Sequence, residues 1–396
     1  MLTVDLALEQ LLAAARPLTD SLTVPLTAAR GQVLAHAVTS SIDVPAFDNS
    51  AMDGYALHVT DFAAAPLAEF ALTQRIAAGD VGAPLAPGEA ARIFTGAPLP
   101  PGANAIAMQE DCTVEAGAVR VSGPLREGQH IRRSGEDVAQ GTVVLPAGTR
   151  LRATELGLAA AIGVAELAVL RPLRVALLST GNELVEPGDA LTPGKIYNSN
   201  RYMLRALLED LGCVVTDYGI VADELELTTR LLGEAAAGND VVISTGGVSV
   251  GEEDHVRAAL QTHEWLALWK IAMKPGKPFA FGRIGDADFI GLPGNPVSSF
   301  ATFTLLVRPF LLARLGVSES LPHLWLPAGF SRPKPIPRRE FLRVRIEHGH
   351  AVPYANQSSG VLTSVVWADA FAVVPEHSTL EEGDPVRIIQ LALLER

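Results

Sequence analysis

The sequence predicts an α/β multidomain protein: a three-layer α/β/α domain on a parallel sheet, a β-rich lobe inserted into a helical or mixed N-terminal platform, and a small C-terminal β domain. Three observations predict it. From residue 171 onward, apolar strand-like runs alternate with helix-period segments, the βαβ pattern that lays strands parallel and covers both sheet faces. Between 55 and 137 short apolar runs are punctuated by Gly and Pro, which reads as short strands. The 396 residues accommodate roughly two to four domains at 100–200 residues each.

Residues 3–16 place Val4, Leu8, Leu11, Leu12 and Ala15 on a helical stripe behind a Thr3 cap, and Pro17 ends the pattern. Residues 28–38 continue as helix and then strand. The segment 41–56, rich in Asp, Asn and Ser, has the chemistry of a turn entering a strand. Residues 91–102 read as a strand running into the stiff turn Thr95-Gly96-Ala97-Pro98, and Arg132-Arg133-Ser134-Gly135-Glu136-Asp137 as a charged surface turn. A helical pattern returns over 138–170. The platform is therefore assigned to 1–45 and 138–170, and the lobe to 46–137. In the α/β domain, 171–318, strands are expected at 173–178, 213–218, 240–244 and 267–272. Helices are expected at 199–211, 224–237 and 253–263, with a last one from Val297 to Leu315. Gly316 and Pro322 mark a linker, and 322–396 forms the C-terminal domain.

The candidate site centres on residues 241–254. There a buried strand ends at Ser244-Thr245-Gly246-Gly247, Ser249 and Gly251 follow, and Glu252, Glu253 and Asp254 open a helix. Glycines let the backbone approach a ligand, and a helix N-terminus attracts anions. Carboxylates beside an anion make sense if Mg²⁺ lies between them. A plain glycine-rich turn before an acidic helix start fits the same letters. Ser179-Thr180-Gly181, with Glu183 just beyond, partly repeats the pattern at the end of strand 173–178, and Asp223 follows strand 213–218. Strand ends of a parallel sheet share one edge, so Glu183, Asp223 and Asp254 are candidate magnesium ligands, with solvated carboxylates as the alternative. Lys270, Lys274 and Lys277 cluster around a Pro-Gly loop and suit an oxyanion, although exposed lysines are ordinary. Pro293 and Pro296 stiffen a second such loop.

Composition narrows the function. Lys plus Arg number 31 against 44 Asp plus Glu, a net charge of −13 that argues against nucleic acid as partner. Cys112 and Cys213 give no disulfide framework and fit a reduced, cytoplasmic setting. No signal-peptide opening and no membrane span is expected: Glu166 and Arg308 interrupt the longest apolar runs. His348 and His350 alone make a weak metal signal, and neither a Gly-x-Ser-x-Gly elbow nor a Walker A loop is present.

Seven segments together resemble the molybdopterin molybdenumtransferase (MoeA) family, which includes the C-terminal part of gephyrin. They are 48–56 (Asp-Asn-Ser-Ala-Met-Asp-Gly-Tyr-Ala), Thr95-Gly96-Ala97, Gly135-Glu136-Asp137, 179–183, 244–251, Lys274-Pro275-Gly276-Lys277-Pro278 and 292–296. They run in order along nearly the whole chain. The resemblance implies the fold type of molybdenum cofactor biosynthesis and an enzyme that inserts molybdate into adenylylated molybdopterin, cleaving the phosphoanhydride with Mg²⁺ and releasing AMP. It implies a homodimer whose site is completed across the interface by Asp53, Thr95 and Asp137. Molybdate seats would come from Lys270, Lys274, and Arg343 or Ser359. Contacts with the adenylyltransferase and with apo-molybdoenzymes are further expectations, and the competing readings are that adenylyltransferase itself or a non-catalytic pterin-nucleotide scaffold. Asn104, Asn182 and Asn198 stand where many members of the family carry Asp, which argues against metal ligation by residue 182.

Overall fold

The computed structural model describes residues 1–64, 69–247 and 265–392. The chain forms two compact units: residues 1–22, 31–35 and 169–396 in one, and residues 23–30 and 36–168 in the other.

In the first unit the sheet of the α/β domain contains β1 (Arg174–Thr180), β2 (Val214–Val221), β3 (Val241–Thr245) and β4 (Trp265–Lys270). β5 (Met273–Lys274) leaves this sheet, and β6 (Pro278–Ile284) and β7 (Ala287–Leu292) return as a hairpin. The strand order is β2-β1-β3-β7-β6-β4. β2, β1, β3 and β7 pair in parallel, while β6 is antiparallel to both neighbours. The sheet is thus mixed where an all-parallel one was expected. The two-residue turn at 285–286 makes a hairpin affordable in so short a stretch, because antiparallel neighbours need no crossover. β4 still points the same way as β7, so Lys270 ends on the carboxyl edge with Thr180 and Thr245.

Alternation along the strands builds the three layers. Val175, Leu177, Val241, Ile243, Ile290 and Leu292 face one core, while Ala176, Leu178, Val242 and Phe289 face the other. The first core is covered by α1 (Val4–Ala14), α2 (Ser199–Asp210) and α4 (Pro296–Arg314), the second by α3 (Leu225–Gly238). In α2, Leu204 and Leu208 lie one turn apart and are fully buried, each worth about 1.5–3 kcal/mol. Thr3 caps α1 by accepting from the Leu6 N–H, as its sequence predicted. α1 packs Val4, Ala7 and Leu11 into the first unit's core. α4 is apolar enough to cross a membrane by composition, yet 89% of that stretch is buried inside the protein. Its middle turn, Phe303–Val307, winds as a π-helix, and all five of its residues are buried. The helix expected at 253–263 lies outside the described residues.

The C-terminal domain is a six-stranded sheet that β5 also joins. β8 (His323–Pro327), β9 (Arg339–Glu347), β10 (His350–Pro353), β11 (Ala370–Val374) and β12 (Pro385–Gln390) complete it in the order β5-β9-β11-β12-β8, with β10 on β9. Pairing of Lys274 with Glu340 in the β5–β9 ladder ties this sheet to the loop Lys274–Pro278.

The second unit has a six-stranded sheet containing Gly54–Leu57, Phe70–Ile76, Glu89–Ile93, Ala105–Met108, Cys112–Glu115 and Ala118–Val121, the short strands expected between 55 and 137. Residues 138–170 contribute a single helix, Ala153–Ala161, and two short strands. Burial and the neighbouring Asp111 push the Cys112 thiol up to about 11, so it is no nucleophile at neutral pH.

Candidate active site

β1 and β3 lie side by side in parallel, with Ser179 opposite Thr245, so the two Ser-Thr-Gly echoes end together on the carboxyl edge. Gly246 sits there with φ of +84°, and a Cβ on it would lie 2.4 Å from the Thr180 carbonyl oxygen. Only glycine fits. At Gly181 (φ +147°) the Glu183 side chain folds back so closely that a Cβ would lie 2.6 Å from its carboxylate. These ends form the floor of a cleft of about 280 Å³, lined by Thr180, Glu183, Thr245, Gly246 and Pro296 among others.

Two helices begin at this cleft. α2 starts at Ser199, with the Asn198 side chain capping it by accepting from the Arg201 N–H at 3.3 Å. α4 starts at Pro296, suited to a first helical position because its missing N–H would have no partner there. The Asn200 side-chain amide donates to the Gly294 carbonyl at 2.7 Å and ties the two helix starts together. Two positive dipole ends converging on one pocket favour a bound anion.

Of the predicted carboxylates, Glu183 lines the cleft. Asp223 is held next to its loop, since the Asp223 N–H donates to the Asn182 side-chain oxygen at 3.4 Å. The Asn182 carbonyl in turn accepts from Lys195. Asp254, with Ser249 and Gly251, lies outside the described residues. Among the described residues no group of three or more His, Cys, Asp or Glu is disposed to hold a metal. Magnesium, however, is commonly held by one or two carboxylates with water and substrate phosphate completing its shell. Hard oxygen donors on adjacent loops beside an anion pocket fit that pattern.

The predicted substrate residues are distributed unevenly. Thr180, Thr245, Gly246 and Pro296 line the cleft, whereas Ser179 is fully buried within the sheet and does not. Gly247 follows with φ of +63°. The Pro293 carbonyl accepts from the Ser299 hydroxyl, which shapes the loop before α4. Lys270 and Lys277 are exposed. Lys274 is paired at 2.9 Å with Glu340, which also lies 3.5 Å from Arg332, so two cations share one carboxylate there.

Arg343 is 1% exposed, and desolvation brings its pKa down to about 10. Its Nε donates to the Ser364 hydroxyl at 3.0 Å and its Nη2 to the Ser358 carbonyl at 3.1 Å. Among the described residues no carboxylate pairs with it. This guanidinium therefore supports the loop carrying Ser359, whose carbonyl accepts from the Val297 N–H at 3.1 Å, and Gly360, which lines the cleft.

The second unit gathers its own motifs. One Asp53 carboxylate oxygen accepts from the Thr95 N–H at 2.8 Å and the Thr95 hydroxyl at 2.9 Å. These bonds, first the backbone one, hold Asp53 below the usual carboxylate range. Asp48 accepts from Arg133 and from the Ser134 N–H, while the Asp137 N–H donates to the Val44 carbonyl at 3.0 Å and its side chain is exposed. The segments 41–56, 94–98 and 131–138, far apart in sequence, are thus fastened together.

Sequence reasoning missed Tyr197, Ser199 and Asn200 and noted Asn198 without assigning it to the site, yet all four line the cleft. The signal was there: Asn-Ser-Asn directly before a helix-period run is a cap cluster, and helix starts at a sheet's carboxyl edge carry ligands.

Three family models match the chain in order: the MoeA N-terminal region (domain I and II) over residues 2–163, the probable molybdopterin binding domain over 176–313, and the MoeA C-terminal region (domain IV) over 326–391. The chain is 41% identical to a molybdopterin molybdenumtransferase of Haemophilus influenzae, covering 87% of this chain and 85% of that one. It is 38% identical to molybdopterin molybdenumtransferase 2 of Mycobacterium tuberculosis, covering 93% of each. The crystal structure of a molybdopterin biosynthesis MoeA protein from Pyrococcus horikoshii superposes with a TM-score of 0.87 at 30% identity, covering 98% of this chain and all of that one. Identity of this order over most of the chain, the matching fold and three consecutive domain matches establish that the chain belongs to the MoeA family.

Proposed function

We propose that this protein is a molybdenumtransferase of molybdenum cofactor biosynthesis, taking adenylylated molybdopterin and molybdate as substrates and releasing AMP as the phosphoanhydride is cleaved. The observation that carries the reading is the cleft at the carboxyl edge, where two strand ends and two helix starts meet. Its helix starts favour a phosphate, and its volume of about 280 Å³ accepts part of a planar heterocycle. The names of the two bacterial relatives, both molybdopterin molybdenumtransferases, support the reaction class.

Glu183 and Asp223, together with Asp254, are the carboxylates that would hold Mg²⁺, which when bound supplies positive charge against the phosphate oxygens. The chain's own part is positioning. Gly246 lets backbone come close to the phosphate, Gly181 leaves room for the Glu183 carboxylate, and the α2 and α4 starts orient the phosphate. No side-chain nucleophile is required, since positioning and electrostatics carry phosphoryl chemistry. Lys270, Lys274 and Lys277, with Ser359 over the buried Arg343, are the basic and polar groups offered to molybdate, a tetrahedral dianion. A second copy of the chain would supply Asp53, Thr95 and Asp137. Substrate delivery by the adenylyltransferase and transfer of product to apo-molybdoenzymes are the partner contacts this reading requires.

Incubating the purified protein with adenylylated molybdopterin, molybdate and Mg²⁺ tests it. AMP release dependent on molybdate supports the transferase. Adenylylation of molybdopterin from ATP would identify the adenylyltransferase instead, and tight binding with neither reaction would identify a carrier.

A further inference from the structure

Two buried polar atoms on residues that line the cleft have no partner. Asn198 is 1% exposed and Asn200 7%, and both line the cleft. The Asn198 Nδ2 and the Asn200 Oδ1 are each buried without a hydrogen bond. Buried polar groups are seldom left this way, and each such group calls for an explanation.

Their orientations are fixed by the backbone. The Asn198 Oδ1 accepts from the Arg201 N–H as the α2 cap, so the free end of that amide is the donor. The Asn200 Nδ2 donates to the Gly294 carbonyl, so the free end of that amide is the acceptor. Neither amide can flip without losing its backbone partner. The N-terminus of α2 thus carries one unspent donor and one unspent acceptor, two residues apart, on side chains of residues that line the cleft.

We propose that Asn198 and Asn200 bind the polar edge of the substrate's heterocycle, Asn198 donating to a ring acceptor and Asn200 accepting from the neighbouring N–H. The inference rests on the reading that this cleft takes the adenylylated pterin. Two parts of that substrate carry such an edge: the lactam N–H and C=O of the pterin, and the amino group and ring nitrogen of adenine. A carboxylate at residue 198 would cap α2 equally well and present a second acceptor, so the donor depends on the amide.

The test uses full-length protein and calorimetric titration with two probes, AMP for the adenine edge and 6-hydroxymethylpterin for the lactam edge. Asn198→Asp keeps the cap and replaces the donor with an acceptor. Asn198→Ser keeps the cap, adds no charge and withdraws the amide donor, leaving only a shorter hydroxyl close to the backbone. Both variants are expected to melt with the wild type and to lose affinity for the same probe, Asn198→Asp by about tenfold or more. Loss for AMP alone places adenine at the pair; loss for the pterin alone places the lactam there. The proposal is overturned if wild type binds neither probe at millimolar concentration, or if both variants stay within about twofold of wild type for both probes. It is also overturned if only the charged variant weakens AMP while Asn198→Ser changes nothing. AMP release by wild type, measured on the same preparations, separates the two readings. Turnover with indifferent variants removes this inference alone, and probe binding through Asn198 without turnover removes the transferase reading alone.

Discussion

Replacing Gly246 with alanine tests the cleft floor at its tightest point. The residue has φ of +84°, and its new Cβ would lie 2.4 Å from the Thr180 carbonyl oxygen and 3.4 Å from the Thr180 carbonyl carbon. A left-handed conformation costs a non-glycine residue about 1–2 kcal/mol. Because the obstacle is backbone of β1 rather than a movable side chain, relief of the overlap requires β1 and β3 to part by about 1 Å, at a further 1–3 kcal/mol. The loss should total about 2–5 kcal/mol, a large share of the 5–15 kcal/mol that usually holds a domain together. Displacing Thr180 from Gly246 by that distance should also cost about a hundredfold in turnover, because both line the pocket. Gly294→Ala is the matched control: it lines the same cleft, and a Cβ there meets no heavy atom within 4 Å. It should stay within about 0.5 kcal/mol of wild type. Urea denaturation followed by far-ultraviolet circular dichroism, with AMP release on the same samples, reads both effects. A Gly246→Ala protein with an unshifted midpoint and undiminished turnover would refute the close approach.

Asp240 joins the opposite edge of the sheet to Arg171, with bonds of 2.7 and 2.9 Å, and to the Arg174 N–H at 2.8 Å. Burial raises its pKa, but the Arg171 guanidinium and the Arg174 N–H more than reverse that, so the folded value lies below the ordinary 3.8. Its stabilising contribution is therefore complete above about pH 4 and is lost as pH falls through the lower folded value. Asp240→Asn should cost roughly 2–4 kcal/mol at neutral pH and flatten the acid limb of stability against pH; an unchanged acid limb would assign that limb to other carboxylates. Asp254→Ala and Glu183→Gln should each keep the wild-type circular dichroism spectrum and abolish Mg²⁺-dependent AMP release, and full turnover by either variant would remove that carboxylate from the site. Lys274→Gln should raise the molybdate concentration needed for half-maximal AMP release by about tenfold, and an unchanged requirement would leave Lys274 to its pairing with Glu340. Gel filtration at micromolar concentration should give the mass of two subunits, and a single-subunit mass would count against a shared site.

The α/β domain was legible because its signals are local. Apolar runs of four to seven residues alternating with Leu-striped helices located β1, β2, β3, α2 and α3 to within a few residues. The β6–β7 hairpin was not, because in a fully buried region both parallel and antiparallel strands read as continuous apolar runs. Pairing direction is then decided by the turn at 285–286. Gly246, Glu183 and Pro296 could be placed at the site because each lies within four residues after a strand end. Arg343 was legible as a cation but not as a buried one, since nothing in Arg-Val-Arg says that Ser358 and Ser364 will close over it. The Asn198–Asn200 pair was overlooked for the opposite reason: its letters read as an ordinary helix cap, and the unspent donor and acceptor exist only once the backbone partners are known.

The most direct measurement is a crystal structure of the full-length protein soaked with adenylylated molybdopterin in the absence of molybdate. The account predicts the phosphoanhydride lying against Gly246 and the starts of α2 and α4, within reach of Glu183. Ligand density on another face, with this cleft open to solvent, would contradict it.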